Sequence, residues 1–101
     1  MSVTVRGEVL PSWGGHSMAV RVHNEADYDD FRRQEGITTV PFYECDSLGL
    51  RRHSIYLSRG LANQVHAGDV VDLVVNAQST KRGRNLRLGP IRVVQPAPQN
   101  P

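Results

Sequence analysis

At 101 residues, with 39% hydrophobic and 22% charged side chains, the chain has the length and composition of one small domain with a modest core. The single cysteine, Cys45, excludes an intrachain disulfide and a cysteine-based zinc cluster and fits a reducing compartment. No apolar run approaches the ~20 residues that span a bilayer, and Met1 to Leu10 lacks the apolar segment of a signal peptide, so a cytoplasmic protein without membrane attachment is expected.

The net charge of +2 conceals an uneven distribution. Between Asn24 and Asp46, seven acids (Glu25, Asp27, Asp29, Asp30, Glu35, Glu44 and Asp46) face only Arg32 and Arg33, a net of −5. Between Ser47 and Gln95, eight bases (Arg51, Arg52, Arg59, Lys81, Arg82, Arg84, Arg87 and Arg92) face Asp69 and Asp72, a net of +6. The second half therefore carries the field that an anionic partner would feel. Eleven of the twelve bases are arginine, which suits planar and bidentate contacts with phosphate, although a GC-rich genome produces the same bias.

Val3 to Leu10 alternates with period two, which puts Val3, Val5 and Val9 on one face and Thr4, Arg6 and Glu8 on the other. Pro11-Ser12-Trp13-Gly14-Gly15 reads as a turn, and His16 to His23 as a second strand with Met18, Val20 and Val22 inward and Ala19, Arg21 and His23 outward. Trp13 at that tip is either an anchor tucked under the hairpin or free to stack on a base. Asn24 to Gly36 breaks the alternation. An acidic loop with at most two helical turns, capped by Asn24, is expected there.

Ile37 to Cys45 is β-rich, with Pro41 marking an edge or bend, and after the Asp46 to Gly49 turn Leu50 to Leu57 is β-rich again. In the second arm Ile55 and Leu57 point inward, which groups Arg52, Ser54 and Tyr56 on the opposite face as a platform for phosphates and bases. Ser58 to Asp69 reads as a short helix capped by Ser58, with Leu61 and Val65 on one side and Gly68 at its end.

Val70 to Ala77 and Leu86 to Val94 are two β-branched runs around the polar tip Gln78 to Asn85, a hairpin signature. The tip places Lys81, Arg82 and Arg84 at its apex with no acid between them, as a finger for phosphates or as charges that only discourage edge-to-edge association. Gln95 to Pro101 is a proline-rich tail, extended or disordered, so residues 1–95 form the domain and 96–101 the tail.

The expected order is strand, strand, irregular excursion, strand, short helix, strand, strand. That is the order of an all-β chain of the small five-stranded Greek-key (OB-fold-like) barrel class with one short helix, whose central strand face and first and last hairpin loops bind oligonucleotides or oligosaccharides. Trp13, Tyr56, Arg52 and the basic tip fall at those places, and a different small β-barrel remains the alternative.

From Arg52 to Ala97 the chain resembles the OB-fold single-stranded DNA-binding proteins, most nearly the small dimeric ones of filamentous phages. The resemblance rests on Ser54-Ile55-Tyr56-Leu57, on the Ala67-Gly68-Asp69 turn into Val70 to Val75, and on Leu86 to Val94 before Pro96-Ala97. It covers less than half the chain. The acidic excursion from Glu25 to Glu35 has no counterpart, and the acidic tail of bacterial relatives is absent from Gln99-Asn100-Pro101.

Catalytic readings are weak. His16, His23, His53 and His66 lack the spacing of a helical metal pair, and the alternation Glu25, Asp27, Asp29 fails as a calcium loop because the later positions fall on Arg32 and Thr38. Cys45 and His53 could pair across a turn, but nothing orients a third group. No enzyme activity, no metal and no cofactor are expected. The function expected is single-stranded DNA (or RNA) binding in replication or recombination, through Arg6, Trp13, Arg21, Tyr43, Arg51, Arg52, Tyr56, Lys81, Arg82, Arg84 and Arg87, by a homodimer or higher homo-oligomer. The alternative is a small protein-interaction or assembly module that uses its β edges and acidic segment.

Overall fold

The computed structural model describes residues 1–12, 18–37 and 53–98. Five strands, β1 (Ser2–Leu10), β2 (Ala19–Val22), β3 (Ser54–Tyr56), β4 (Val70–Thr80) and β5 (Gly83–Gln95), form one antiparallel sheet in the order β3-β2-β1-β4-β5. Two helices, α1 (Glu25–Gln34) and α2 (Arg59–Ala62), complete it. The chain is thus all-β with helical additions, as expected. Closing a barrel would require β3 to meet β5, and among the described residues these two are the sheet's free edges.

The period-two reading of β1 holds: Val5 and Val9 are fully buried while Thr4, Arg6 and Glu8 are exposed. The inner face of the sheet continues through Val20, Ile55, Val71, Leu73 and Val75. Gly7 lies inside this row opposite Val22, and a Cβ there would overlap the Arg21 carbonyl and come within 2.7 Å of Val20 Cγ1, so the close approach of β1 and β2 requires glycine.

The largest departure is the acidic excursion, which forms a helix of ten residues, nearly three turns at about 3.6 residues each, rather than a loop. Tyr28 and Phe31, spaced i, i+3, are buried on its inner side, and Ile37 joins them in the core. Asn24 occupies the N-cap position without a side-chain cap. Its amide instead accepts from Arg6 N–H (2.9 Å) and donates to the Thr4 carbonyl (3.1 Å), a side-chain continuation of the β1 ladder that fixes where the chain leaves the sheet. Acids tie α1 to the start of β3: His53 Nε2 lies 2.9 and 3.1 Å from the two Asp29 oxygens, and its Nδ1 is 3.4 Å from Glu25.

The second helix is shorter than expected, a single turn over Arg59–Ala62. The segment after it leaves the helix because Asp69, 4% exposed, gathers the backbone into a turn. The Asp69 carboxylate accepts from His66 N–H (2.8 Å) and Ala97 N–H (2.7 Å), and its carbonyl accepts from Val9 N–H (2.8 Å). Gly68 takes φ +92° in that turn. The start of the proline-rich tail is therefore tied down at Ala97.

The β4–β5 ladder runs farther toward the tip than the sequence suggests, pairing Gln78 with Asn85 and Thr80 with Gly83, so only Lys81 and Arg82 form the turn. Gly83 adopts φ +112°, and Thr80 Oγ1 bonds the Gly83 carbonyl (2.9 Å), the Arg82 N–H (3.2 Å) and Asn85 Nδ2 (3.1 Å). Midway, Leu73 pairs with Ile91 but Val75 with Leu88, so Gly89-Pro90 inserts one extra residue opposite Val74. A Cβ at Gly89 would sit 3.1 to 3.3 Å from Val74 atoms.

Candidate nucleic-acid interface

Strand register decides which cations share a face. Residues paired across an antiparallel ladder point the same way. Arg6 pairs with Asp72, Asp72 with Arg92, and Asn76 with Arg87, while Glu8 pairs with Arg21. Arg21, Arg6, Arg92 and Arg87 therefore lie on the outer face, opposite the Val5, Val20 and Leu73 core row. The exposed Lys81-Arg82 turn extends this surface at the end of β4 and β5. From Asp72 to Thr80 the row covers about 26 Å at ~3.3 Å per residue.

Arg92 belongs to this row, although the sequence does not single it out. Simple alternation puts Arg87 and Arg92 on opposite sides of β5, and the bulge at Gly89-Pro90 brings them back to one. The Gly-Pro pair inside a β-branched run is the available signal.

Within the row, Arg6 donates from Nε (2.8 Å) and Nη2 (3.0 Å) to the two oxygens of Asp72, and Arg92 Nη2 donates to the same carboxylate at 3.1 Å. The Arg6 hydrogen bonds first, then those of Arg92, hold the Asp72 carboxyl below its ordinary value despite partial desolvation, and the same pairing raises Arg6. Arg6 is thus not a free cation, but its side chain remains 52% exposed.

Two expected site residues are placed differently by the structure. Arg84 pairs with Ser79 on the inner face of the hairpin rather than standing at the apex. Its Nε donates to the Glu35 carbonyl (3.0 Å), Nη2 to the Glu35 carboxylate (3.0 Å) and Nη1 to Ser79 Oγ (3.0 Å). The cation is used to hold the hairpin against the end of α1. Tyr56 and Ser54 do share the face opposite Ile55, but that face is not open there: Ser54 is 1% exposed, Tyr56 is half-buried and its hydroxyl is shielded from solvent. Ala19, expected outward, is likewise buried.

Trp13, Tyr43, Arg51 and Arg52 lie outside the described residues, as does Cys45. Among the described residues the aromatic side chains are Tyr28, Phe31 and Tyr56, the first two buried, so the outer arginine face carries no exposed aromatic ring. The described part of that face offers guanidinium and amide groups, which suit the oxygens of a phosphate backbone. No described group of three or more His, Cys, Asp or Glu is placed to hold a metal ion, and no described helix is long and apolar enough to cross a membrane. An open cleft of about 500 Å³ is lined by Gln64, His66, Asp69, Val93 and Pro96 to Pro98.

No protein-family model matches the chain, and neither a curated protein nor a solved structure is recognisably similar to it, so the resemblance to single-stranded DNA-binding proteins rests on the sequence features alone.

Proposed function

We propose that this chain is a non-enzymatic, cytoplasmic single-stranded nucleic-acid-binding protein that grips the phosphate backbone, with a role in replication or recombination. The observation that carries the reading is the outer-face row Arg21, Arg6, Arg92, Arg87, continuous with Lys81 and Arg82 at the hairpin turn. Among the described strand residues the acids on the same face are Glu8 and Asp72, so these strands keep a cationic excess toward solvent. The strand order is that of a small OB-like barrel, the architecture the sequence resemblance implies, opened between β3 and β5 among the described residues.

Fluorescence anisotropy with labelled single-stranded DNA, duplex DNA and RNA at several salt concentrations tests it. With about five cations on phosphates, log K falls against log salt with a slope near −3.5, from ~0.7 per single-strand contact. A flat response removes the reading.

A second reading draws on a different observation. β5 is a free edge of the described sheet, and Val93 and Val94 on it are 37% and 40% exposed. A strand from a second copy or another protein placed there would make an assembly module. A homodimer serves both readings, and sedimentation over a range of concentrations tests it: a concentration-independent monomer contradicts the dimer.

A further inference from the structure

We propose that Asp72 organises Arg6 and Arg92 into a preformed clasp for one phosphodiester group on the outer face of the sheet, a site that rests on the nucleic-acid reading above. The three residues stand side by side on adjacent strands: Arg6 on β1, Asp72 on β4, Arg92 on β5. The carboxylate lies low between the arginines. Its side chain is 14% exposed, against 52% for Arg6 and 77% for Arg92, so an approaching anion meets guanidinium before it meets carboxylate.

The hydrogen-bond count favours the same role. A guanidinium carries five N–H donors, of which Asp72 engages two on Arg6 and one on Arg92, leaving most of each fork for a second acceptor. Two arginines fixed by one acid keep a net positive charge while losing rotamer freedom before the ligand arrives. Such prior ordering lowers the entropy cost of binding. A carboxylate accepts from two forks as well, as Asp72 does, and what favours a phosphodiester is that the cations recur along the face as the charges of a nucleic-acid backbone do. Arg87, beside Asn76, lies four residues along β4 from Asp72, about 13 Å at the strand rise, which places a second cation along the same backbone path.

Charge and order make opposite predictions for Asp72, and this gives the test. If Asp72 is only an unfavourable negative charge, Asp72→Asn tightens binding. If it positions the arginines, the same change weakens binding although the face gains positive charge. Anisotropy with a short labelled oligothymidylate is measured for the wild type, Asp72→Asn, Arg6→Lys and the double variant Arg6→Ala/Arg92→Ala, each checked for folding by circular dichroism. The expected result is a loss of about two- to tenfold for Asp72→Asn and for the charge-conserving Arg6→Lys, the cost of ordering a long side chain on binding. The double variant should lose more and flatten the salt slope by about 0.7, one phosphate contact. In parallel, the Arg6 Nε–H resonance should be sharp in the wild type, shift on adding the oligonucleotide or inorganic phosphate, and broaden in Asp72→Asn.

Equal or tighter binding by folded Asp72→Asn overturns the clasp, as does an unchanged affinity in Arg6→Lys, which decides the matter should Asp72→Asn not fold. A wild type that binds while the double variant is unaffected refutes the clasp alone. A wild type that does not bind at low salt refutes the nucleic-acid reading and the clasp with it.

Discussion

The hairpin tip offers the most direct test of the interface, because the structure divides its three cations into two kinds. Lys81 and Arg82 form the turn itself, exposed, whereas Arg84 is held by three hydrogen bonds of 3.0 Å to Glu35 and Ser79. Replacing Lys81 and Arg82 together by alanine should therefore lower the salt slope by about 1.4, two contacts at ~0.7 each, and leave the melting temperature nearly unchanged. Arg84→Ala should do the reverse. Charge-assisted hydrogen bonds contribute roughly 1.5–3 kcal/mol each when buried. The Arg84 side chain is 36% exposed, so solvent screening reduces the total for the group to about 1–2 kcal/mol. In a domain of this size that lowers the melting temperature by roughly 4–16 °C. Anisotropy titrations against log salt, paired with thermal melts of the same samples, read both quantities. If Arg84→Ala flattens the slope as much as either tip cation, the latch to Glu35 does not form in solution. If the folded double variant keeps the wild-type slope, the turn is only a solvated loop.

Two further outcomes concern stability. Asp69 and Asp72 both have folded-state pKa values below the ordinary 3.8, Asp69 chiefly through the His66 and Ala97 N–H groups and Asp72 chiefly through Arg6. Their contribution is complete above the unfolded value and is lost as pH falls through the folded one, so urea midpoints should be level near neutrality and drop below about pH 4, less steeply in Asp69→Asn. A midpoint that rises on acidification would contradict this sign. Gly7→Ala should cost about 1–3 kcal/mol or more by forcing β1 and β2 apart at Arg21 and Val20, measured by denaturant unfolding, and a neutral result would show that the strands are not so closely apposed.

How far the sequence alone discloses these features depends on the range of the interaction. The alternation of Val5, Arg6, Gly7, Glu8 and Val9 is local, and it assigns the inner and outer faces of β1 correctly. Local composition understates the helix α1, whose large apolar side chains are only Tyr28 and Phe31, set among acids and arginines. Its stability comes from the core it enters and from the ties to His53 and Arg84, not from its own composition. The Arg84 to Glu35 contact spans 49 residues, beyond any local pattern. For Ser54 and Tyr56 alternation predicts the face but not its burial, since burial depends on what the rest of the chain brings over that face. Arg92 is missed for a local reason, the phase reversal at Gly89-Pro90.

That reversal also constrains what can be added to β5. Pro90 supplies no N–H, and the bulge exchanges the inward and outward phases of the strand at that point. An incoming strand that matched Ile91 to Val93 would present the wrong side of its side chains to Gly83 to Leu88 unless it carried a compensating bulge. A second register shift leaves Val94 unmatched between Val93 and Gln95, so although β5 is thirteen residues long, its regular templates are only Gly83 to Leu88 and Ile91 to Val93, out of phase with each other. Uninterrupted growth of the sheet from this edge is disfavoured, and a specific partner is restricted to one half of the strand.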